Sequence, residues 1–197
     1  MWSTGEGNLA ATYLFTTRKA PAEAAQVSFV AALAVADLAA AFVPAALVSV
    51  KWPNDLLLAG CKAAGILVES GRRADGLWIA VGIGVNLAQA PAALAPPALP
   101  PTAFADHMRA PPPLALEALR VLAEAVQRWL GVWESGGFAP IAEAWTLRAH
   151  GLGERCRAHL PDGTVEGIAE GLDADGALRL RTADGSVRRI TAGDVFF

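Results

Sequence analysis

Apolar positions change their period several times along the chain, and each change marks an element. Asn8 to Thr17 (NLAATYLFTT) mixes β-branched, aromatic and aliphatic residues and predicts a strand. Ala22 to Phe42 follows Pro21, which suits a first helical turn, and predicts a helix. The most apolar stretch, Val27 to Val50, is rich in alanine and contains Asp37 and Pro44. It reads as a buried amphipathic helix followed by a strand, not as a membrane span. Leu47 to Trp52 predicts a strand, Asp55 to Ala59 and Lys62 to Ser70 predict a hairpin about Gly60, and Leu77 to Leu87 predicts another strand. Strands in succession after one helix imply an α+β fold, with a mixed sheet carrying helices on one face.

Ala88 to Pro113 has no period. It is built from Ala and Pro, including Pro96-Pro97, Pro100-Pro101 and Pro111-Pro112-Pro113, and predicts a long functional loop. Leu114 to Glu134 returns to helical spacing through Leu116, Leu119, Leu122, Val126 and Leu130, and Gly136-Gly137 ends it. Ile141 to His150 predicts a second short helix. From Gly151 the texture changes. Asp162-Gly163, Asp175-Gly176 and Asp184-Gly185 separate short apolar runs, and Asp-Gly favours tight hairpins. Arg155–Leu160, Thr164–Gly171, Ala177–Arg181, Val187–Ile190 and the tail from Asp194 predict a small barrel. At roughly 45 residues it is too small to be stable alone and should dock on the first unit. The expected division is 1–150 and 151–197.

Composition narrows the classes. With 197 residues, 54% apolar and 18% charged, the chain can bury a core and is not disordered. A net charge of −3 argues against a dedicated nucleic-acid binder. No basic segment precedes an apolar run at the N-terminus, which reads against a signal peptide. Cys61 and Cys156 have no paired spacing, as expected of free thiols in a reducing cytoplasm. His107, His150 and His159 are scattered, which reads against a structural metal.

One short stretch sets charged side chains between strongly apolar flanks. Lys51-Trp-Pro-Asn-Asp55 is followed by Gly60-Cys-Lys62-Ala-Ala-Gly65-Ile-Leu-Val-Glu69 between apolar flanks. The hairpin folds Lys62 back toward Lys51, and Pro53 aims the turn that carries Asn54 and Asp55. From the residues alone, two readings stand: strand-end surface charges with a turn cap, or two cations gathered for an anionic ligand such as a nucleotide triphosphate. Downstream, Trp78 to Asn86 alternates with period two. Ile79, Val81, Ile83 and Val85 share one face. Ala80, Gly82, Gly84 and Asn86 share the other, which could admit a crossing element or a flat ligand ring. The third glycine of the dinucleotide fingerprint is missing.

These runs closely resemble biotin–protein ligases, whose signature is Lys-Trp-Pro-Asn-Asp leading into Lys-x-x-Gly-Ile-Leu-x-Glu, with Gly-x-Gly-x-Asn following. The resemblance carries Lys51, Pro53, Asn54, Asp55, Lys62 and Gly65-Ile66-Leu67 in register, and extends from Trp2 to Phe197. It implies a catalytic domain like that of class II aminoacyl-tRNA synthetases, closed by a small SH3-like barrel. It implies ATP-dependent joining of biotin to a lysine of a biotin carboxyl carrier protein through biotinyl-5′-AMP, with Mg²⁺ accompanying ATP. By resemblance Lys62 is the central catalytic cation. Lys51, Asn54, Asp55, Gly65, Gly82, Gly84 and Asn86 bind substrate or nucleotide, and Asp55 holds Mg²⁺ or orients a lysine. The long loop would be mobile without ligand and cover the adenylate. The implied setting is cytoplasmic, without DNA or membrane, and a homodimer is compatible. The alternatives are a non-catalytic relic or regulatory protein of the same fold, and a lipoate ligase. The family's Ser-Thr-Asn and Gly-Arg-Gly-Arg-x-Gly-Arg segments would precede the tryptophan that Trp2 resembles. A chain starting at Met1-Trp2 is therefore expected to be a ligase read from an internal start or truncated, and inactive as written.

Overall fold

The computed structural model describes residues 5–92, 99–161 and 163–197. The positions read as Trp2, Pro96-Pro97 and Asp162 lie outside them. The first part of the chain runs β1 (Leu9–Thr17), α1 (Pro21–Ala24), α2 (Val27–Phe42), β2 (Val48–Lys51), β3 (Asp55–Leu58), β4 (Cys61–Arg73), β5 (Gly76–Val85), α3 (Ala115–Gly136) and α4 (Ala139–Thr146). Strand order is β1-β5-β4-β3-β2, and every named pair is antiparallel. The mixed character expected of this sheet is confined to two isolated parallel bridges, Val50 with Ala149 and Lys62 with Pro101.

Helices cover one face of the sheet. Helix α2 lies between strands β2 to β5 and the helices α3 and α4, so it is buried on nearly every side rather than amphipathic. Its one charged residue, Asp37, is neutralised there. Arg128 and Arg148 donate to its carboxylate at 2.7 and 3.1 Å, and Trp129 Nε1 donates at 2.7 Å. By length and composition Pro21–Phe42 could cross a membrane, yet 67% of its most apolar window is buried within the fold. The single helix expected from Ala22 is broken at Ala25-Gln26, where Gln26 Oε1 accepts a bond from Trp133 Nε1 at 3.0 Å.

The helix expected to reach His150 stops at Thr146. Residues 148–150 leave it to extend the sheet beside β2. Val50 N–H donates to the Arg148 carbonyl at 2.9 Å, and His150 N–H to the Val50 carbonyl at 2.8 Å. The remaining chain forms β6 (Arg155–Leu160), β7 (Gly163–Leu172), β8 (Leu178–Arg181), β9 (Val187–Ile190) and β10 (Asp194–Phe196). They make a second antiparallel sheet ordered β10-β6-β7-β8-β9. Its turn at Gly176 docks on the first part. Trp52 Nε1 donates to the Gly176 carbonyl at 3.1 Å, and a Cβ at Gly176 would sit 2.7 Å from the Phe29 ring.

Candidate active site

The sheet register aligns one row of residues across all five strands: Ala10, Gly84, Gly65, Asp55 and Lys51. Residues in register on antiparallel strands face the same way. The row is therefore bare over three strands and ends in a carboxylate and an ammonium. The next row, Thr12, Gly82 and Leu67, is also low at its centre. Lys51 apart, these two rows floor an open cleft of ≈ 400 Å³ on the face away from α2, walled in part by Asn54, Asp55 and Lys62.

Lys62 reaches this face because of a bulge. Leu56 pairs with Ala64 but Leu57 pairs with Lys62, so Ala63 is an extra residue in β4. Such a bulge re-aims the side chains before it. Here it puts Lys62 on the side of Asp55. The chain enters β3 through Trp52-Pro53, whose peptide bond is cis. Asn54 is then tied to β4: its Nδ2 donates to the Ile66 carbonyl at 2.7 Å, and Ile66 N–H donates to the Asn54 carbonyl at 3.1 Å.

Asp55 is the hub. Its Oδ1 lies 2.5 Å from Lys62 Nζ and its Oδ2 lies 3.7 Å from Lys51 Nζ. Asp55 is 7% exposed and Lys51 5%, while the Lys62 side chain is 37% exposed and lines the cleft. Of the two ammonium groups around this carboxylate, Lys62 is the one that faces the cleft. Burial lowers the Lys51 pKa from its ordinary value; the Asp55 charge opposes this, the Lys62 charge adds to it, and Asp194 opposes it. A charged lysine so deeply buried needs a carboxylate beside it.

The structure brings Asn54, Asp55, Lys62, Gly65, Gly82 and Gly84, all read from the sequence as candidate site residues, together at the cleft. Two expected ligand-binding residues are placed otherwise. Lys51 sits behind Asp55, outside the cleft lining. Asn86 is 2% exposed, and its Nδ2 donates to the Thr102 carbonyl at 3.0 Å, so its amide holds a loop. Asp55 does not fit a metal ligand either, since both of its oxygens face lysines. Among the described residues no three His, Cys, Asp or Glu side chains cluster for a metal.

Other residues of the site carried no separate signal in the sequence. Ala10 to Thr12 line the cleft because β1 pairs with β5. Asn8 Oδ1 accepts the backbone N–H groups of Leu87, Ala88 and Gln89 at 3.0 to 3.2 Å, which fixes the chain as it leaves β5. Part of the Ala/Pro stretch, expected to be mobile, is packed. Lys62 N–H donates to the Pro100 carbonyl and Thr102 N–H to the Lys62 carbonyl, both at 2.9 Å, and Phe104 is fully buried. Prolines 100 and 101 lose nothing in this pairing, because it uses the Pro100 carbonyl and the Thr102 N–H.

Comparison with known proteins shows the family. Residues 1–86 match the Biotin/lipoate A/B protein ligase family, and residues 151–197 match the Biotin protein ligase C terminal domain. The Biotin–[acetyl-CoA-carboxylase] ligase of Paracoccus denitrificans is 45% identical over 203 residues, covering 100% of this chain and 82% of that protein. The chain thus belongs to the biotin protein ligase family. The ligase of the same designation from Mycobacterium tuberculosis (strain ATCC 25618 / H37Rv) is 36% identical over 172 residues, covering 86% of this chain but only 61% of that protein. The fold is that of the Aquifex aeolicus biotin protein ligase. A point mutant of that ligase in complex with biotin superposes with a TM-score of 0.78 at 23% identity, covering 96% of this chain and 78% of that one. The Aquifex aeolicus ligase in complex with biotin and ATP gives a TM-score of 0.75 at 23% identity, covering 98% and 79%.

Proposed function

We propose that this protein activates biotin with ATP and transfers it to a lysine of a biotin carboxyl carrier protein. The observation that carries the reading is the Lys62–Asp55–Lys51 hub at the charged end of a glycine-floored cleft. A biotin carboxylate and a triphosphate repel, and their reaction needs positive charge placed between them. In the first step a carboxylate oxygen of biotin attacks the α-phosphorus, the bond to the bridging oxygen breaks, and pyrophosphate leaves. Lys62, held at a fixed place by Asp55, offsets the charge that accumulates there. The bare row Ala10, Gly84 and Gly65 lets a flat ring lie against backbone. In the second step the carrier lysine, as free amine, attacks the acyl carbon; AMP leaves and the nitrogen loses a proton. Neither step requires a nucleophilic side chain of the protein.

Mg²⁺ would enter on the phosphate oxygens of ATP rather than on Asp55, whose oxygens are taken by lysines. The relatives are named as biotin ligases, and neither a relic nor a lipoate ligase gains support beside them. Two unpaired thiols suit a cytoplasmic setting.

The test uses the natural gene product, with any in-frame residues encoded upstream of Met1. It is given ATP, Mg²⁺, biotin and a carrier domain, and the carrier is probed with streptavidin. Labelling that needs both ATP and biotin is expected. Labelling with lipoate in preference to biotin, or tight biotin binding with no adenylate formed, would overturn the proposal.

A further inference from the structure

Lys51 is the buried member of the hub, and it does not reach the cleft. Any effect on the reaction must pass through its neighbours. Those that carry charge are Asp55 on β3, Lys62 on β4 and Asp194 on β10. A fourth neighbour is uncharged. The Phe196 ring lies with its centroid 5.8 Å from Lys51 Nζ, so this interior ammonium has both a carboxylate and an aromatic ring as close neighbours.

The ring is itself held. Phe196 pairs with Arg157 in the second sheet and packs on the His159 ring at 5.0 Å, while Val195 beside it is fully buried. Phe197 meets the His150 ring edge-on at 5.4 Å and covers Gly151, where a Cβ would lie 2.2 Å from the Phe197 ring. His150 in turn is bonded to Val50, the residue before Lys51. The last strand is thus fastened both to its own sheet and to β2, with Phe196 set against Lys51.

We propose that Phe196, and through it β10, is a positioning residue for Lys62, acting by way of Lys51 and Asp55. This rests on the ligase reading for its catalytic consequence. The ring fixes one side of the Lys51 ammonium. The ammonium then holds Asp55 Oδ2, which sets the rotation of the carboxylate and leaves Oδ1 aimed at Lys62. Loss of the ring lets Lys51 shift, the carboxylate turns, and Lys62 no longer waits at one place in the cleft.

The experiment is a double-substitution cycle in the natural gene product. Phe196→Leu should lower kcat for pyrophosphate release about five- to tenfold with little change in biotin affinity, and Phe196→Tyr, which keeps a ring face, should recover most of the rate. In a Lys51→Met background the same Phe196→Leu change should have almost no further effect. In parallel, the lysine side-chain resonances are followed by NMR, with Lys62 assigned from Lys62→Arg. Phe196→Leu should move the Lys62 signal when Lys51 is present and leave it in place when Lys51 is Met. If Phe196→Leu unfolds the chain, Phe196→Met keeps bulk without a ring and replaces it. Equal effects of Phe196→Leu with and without Lys51, or a Lys62 signal that ignores Phe196, would overturn the proposal. A wild-type protein that forms no adenylate would instead sink the ligase reading, and the NMR cycle would still decide the positioning role.

Discussion

Lys62 and Lys51 have the same chemistry and different tasks because they differ in burial. Lys62 is part-exposed on the cleft; Lys51 is sealed behind Asp55. A cation placed where charge grows in a transition state is worth about 3–4 kcal/mol, or ~10²–10³ in rate. Lys62→Ala should therefore cut adenylate formation by about that factor while biotin binding, carried by ring and apolar contacts, changes little. Lys62→Arg should rescue poorly, because a planar fork does not replace a compact ammonium beside a buried carboxylate. Pyrophosphate release and calorimetry separate the two effects, and a Lys62→Ala protein keeping about half the wild-type rate would return Lys62 to a strand-end charge. Asp55→Asn should act differently. It takes from the buried Lys51 its ion-pair partner and leaves the more distant Asp194 as an acidic neighbour; removing one partner of a buried pair typically costs about 3–5 kcal/mol, less where another carboxylate remains, so both the denaturant midpoint and the rate should fall. Unchanged stability in Asp55→Asn would mean that Lys51 does not depend on it.

Strands and helices were legible wherever side chains set the period. The alternation of Trp78 to Asn86 places Ile79, Val81, Ile83 and Val85 in the core, and the fold agrees. Asn86 has the same parity as Gly84 but lies beyond the end of β5, where parity no longer determines direction. The bulge at Ala63 was invisible because it depends on which residue of β3 pairs with which of β4. The packing of residues 99–108 was hidden for a related reason: its bonds use backbone groups, and prolines advertise only the donors they lack. The turn between β7 and β8 shows the converse. Asp175-Gly176 was readable as a turn, but its docking on Trp52 and Phe29 was not. Arg189 clips this turn by pairing with Asp173 and Asp175, each at 2.5 Å. Arg189, then the Ala177 N–H, hold the Asp175 pKa below its ordinary 3.8. A depressed carboxylate adds stability that is complete above the ordinary value and is lost as pH falls through the lowered one. The Tm gap between wild type and Arg189→Gln should thus be constant at neutral pH and shrink below about pH 4. Exposure of the pair keeps that gap to about 1–2 °C. A gap that persists undiminished in acid would show that Arg189 acts by packing alone.

At the scale of the molecule, the question is whether two sheets fold as one. The core of the second sheet is slight: among the described residues, Cys156, Ala158, Ala169, Leu178, Leu180, Ile190 and Val195 are its buried apolar side chains. A core that small does not normally sustain a fold, so stability should be borrowed through the Trp52–Gly176 bond and the aromatic set Phe29, Phe138 and Trp145. The chain contains its own reporters. Among the described residues every α-helix ends by residue 146, so the helical circular-dichroism signal follows the first sheet and its cover. Cys156 lies in β6 at 6% exposure, and burial pushes its thiol up to about 11, so in the folded protein it should be nearly inert to a thiol reagent near pH 8. In a Cys61→Ser protein, the reactivity of Cys156 then registers only opening of the second sheet. Across a urea series, Cys156 labelling and loss of helix should share one midpoint. Trp52→Phe removes a buried donor's bond worth about 1 kcal/mol and should lower both midpoints together. Labelling of Cys156 at urea concentrations that leave the helices intact would show that the second sheet opens alone, and that its contacts with Trp52 and Phe29 contribute nothing to holding it shut.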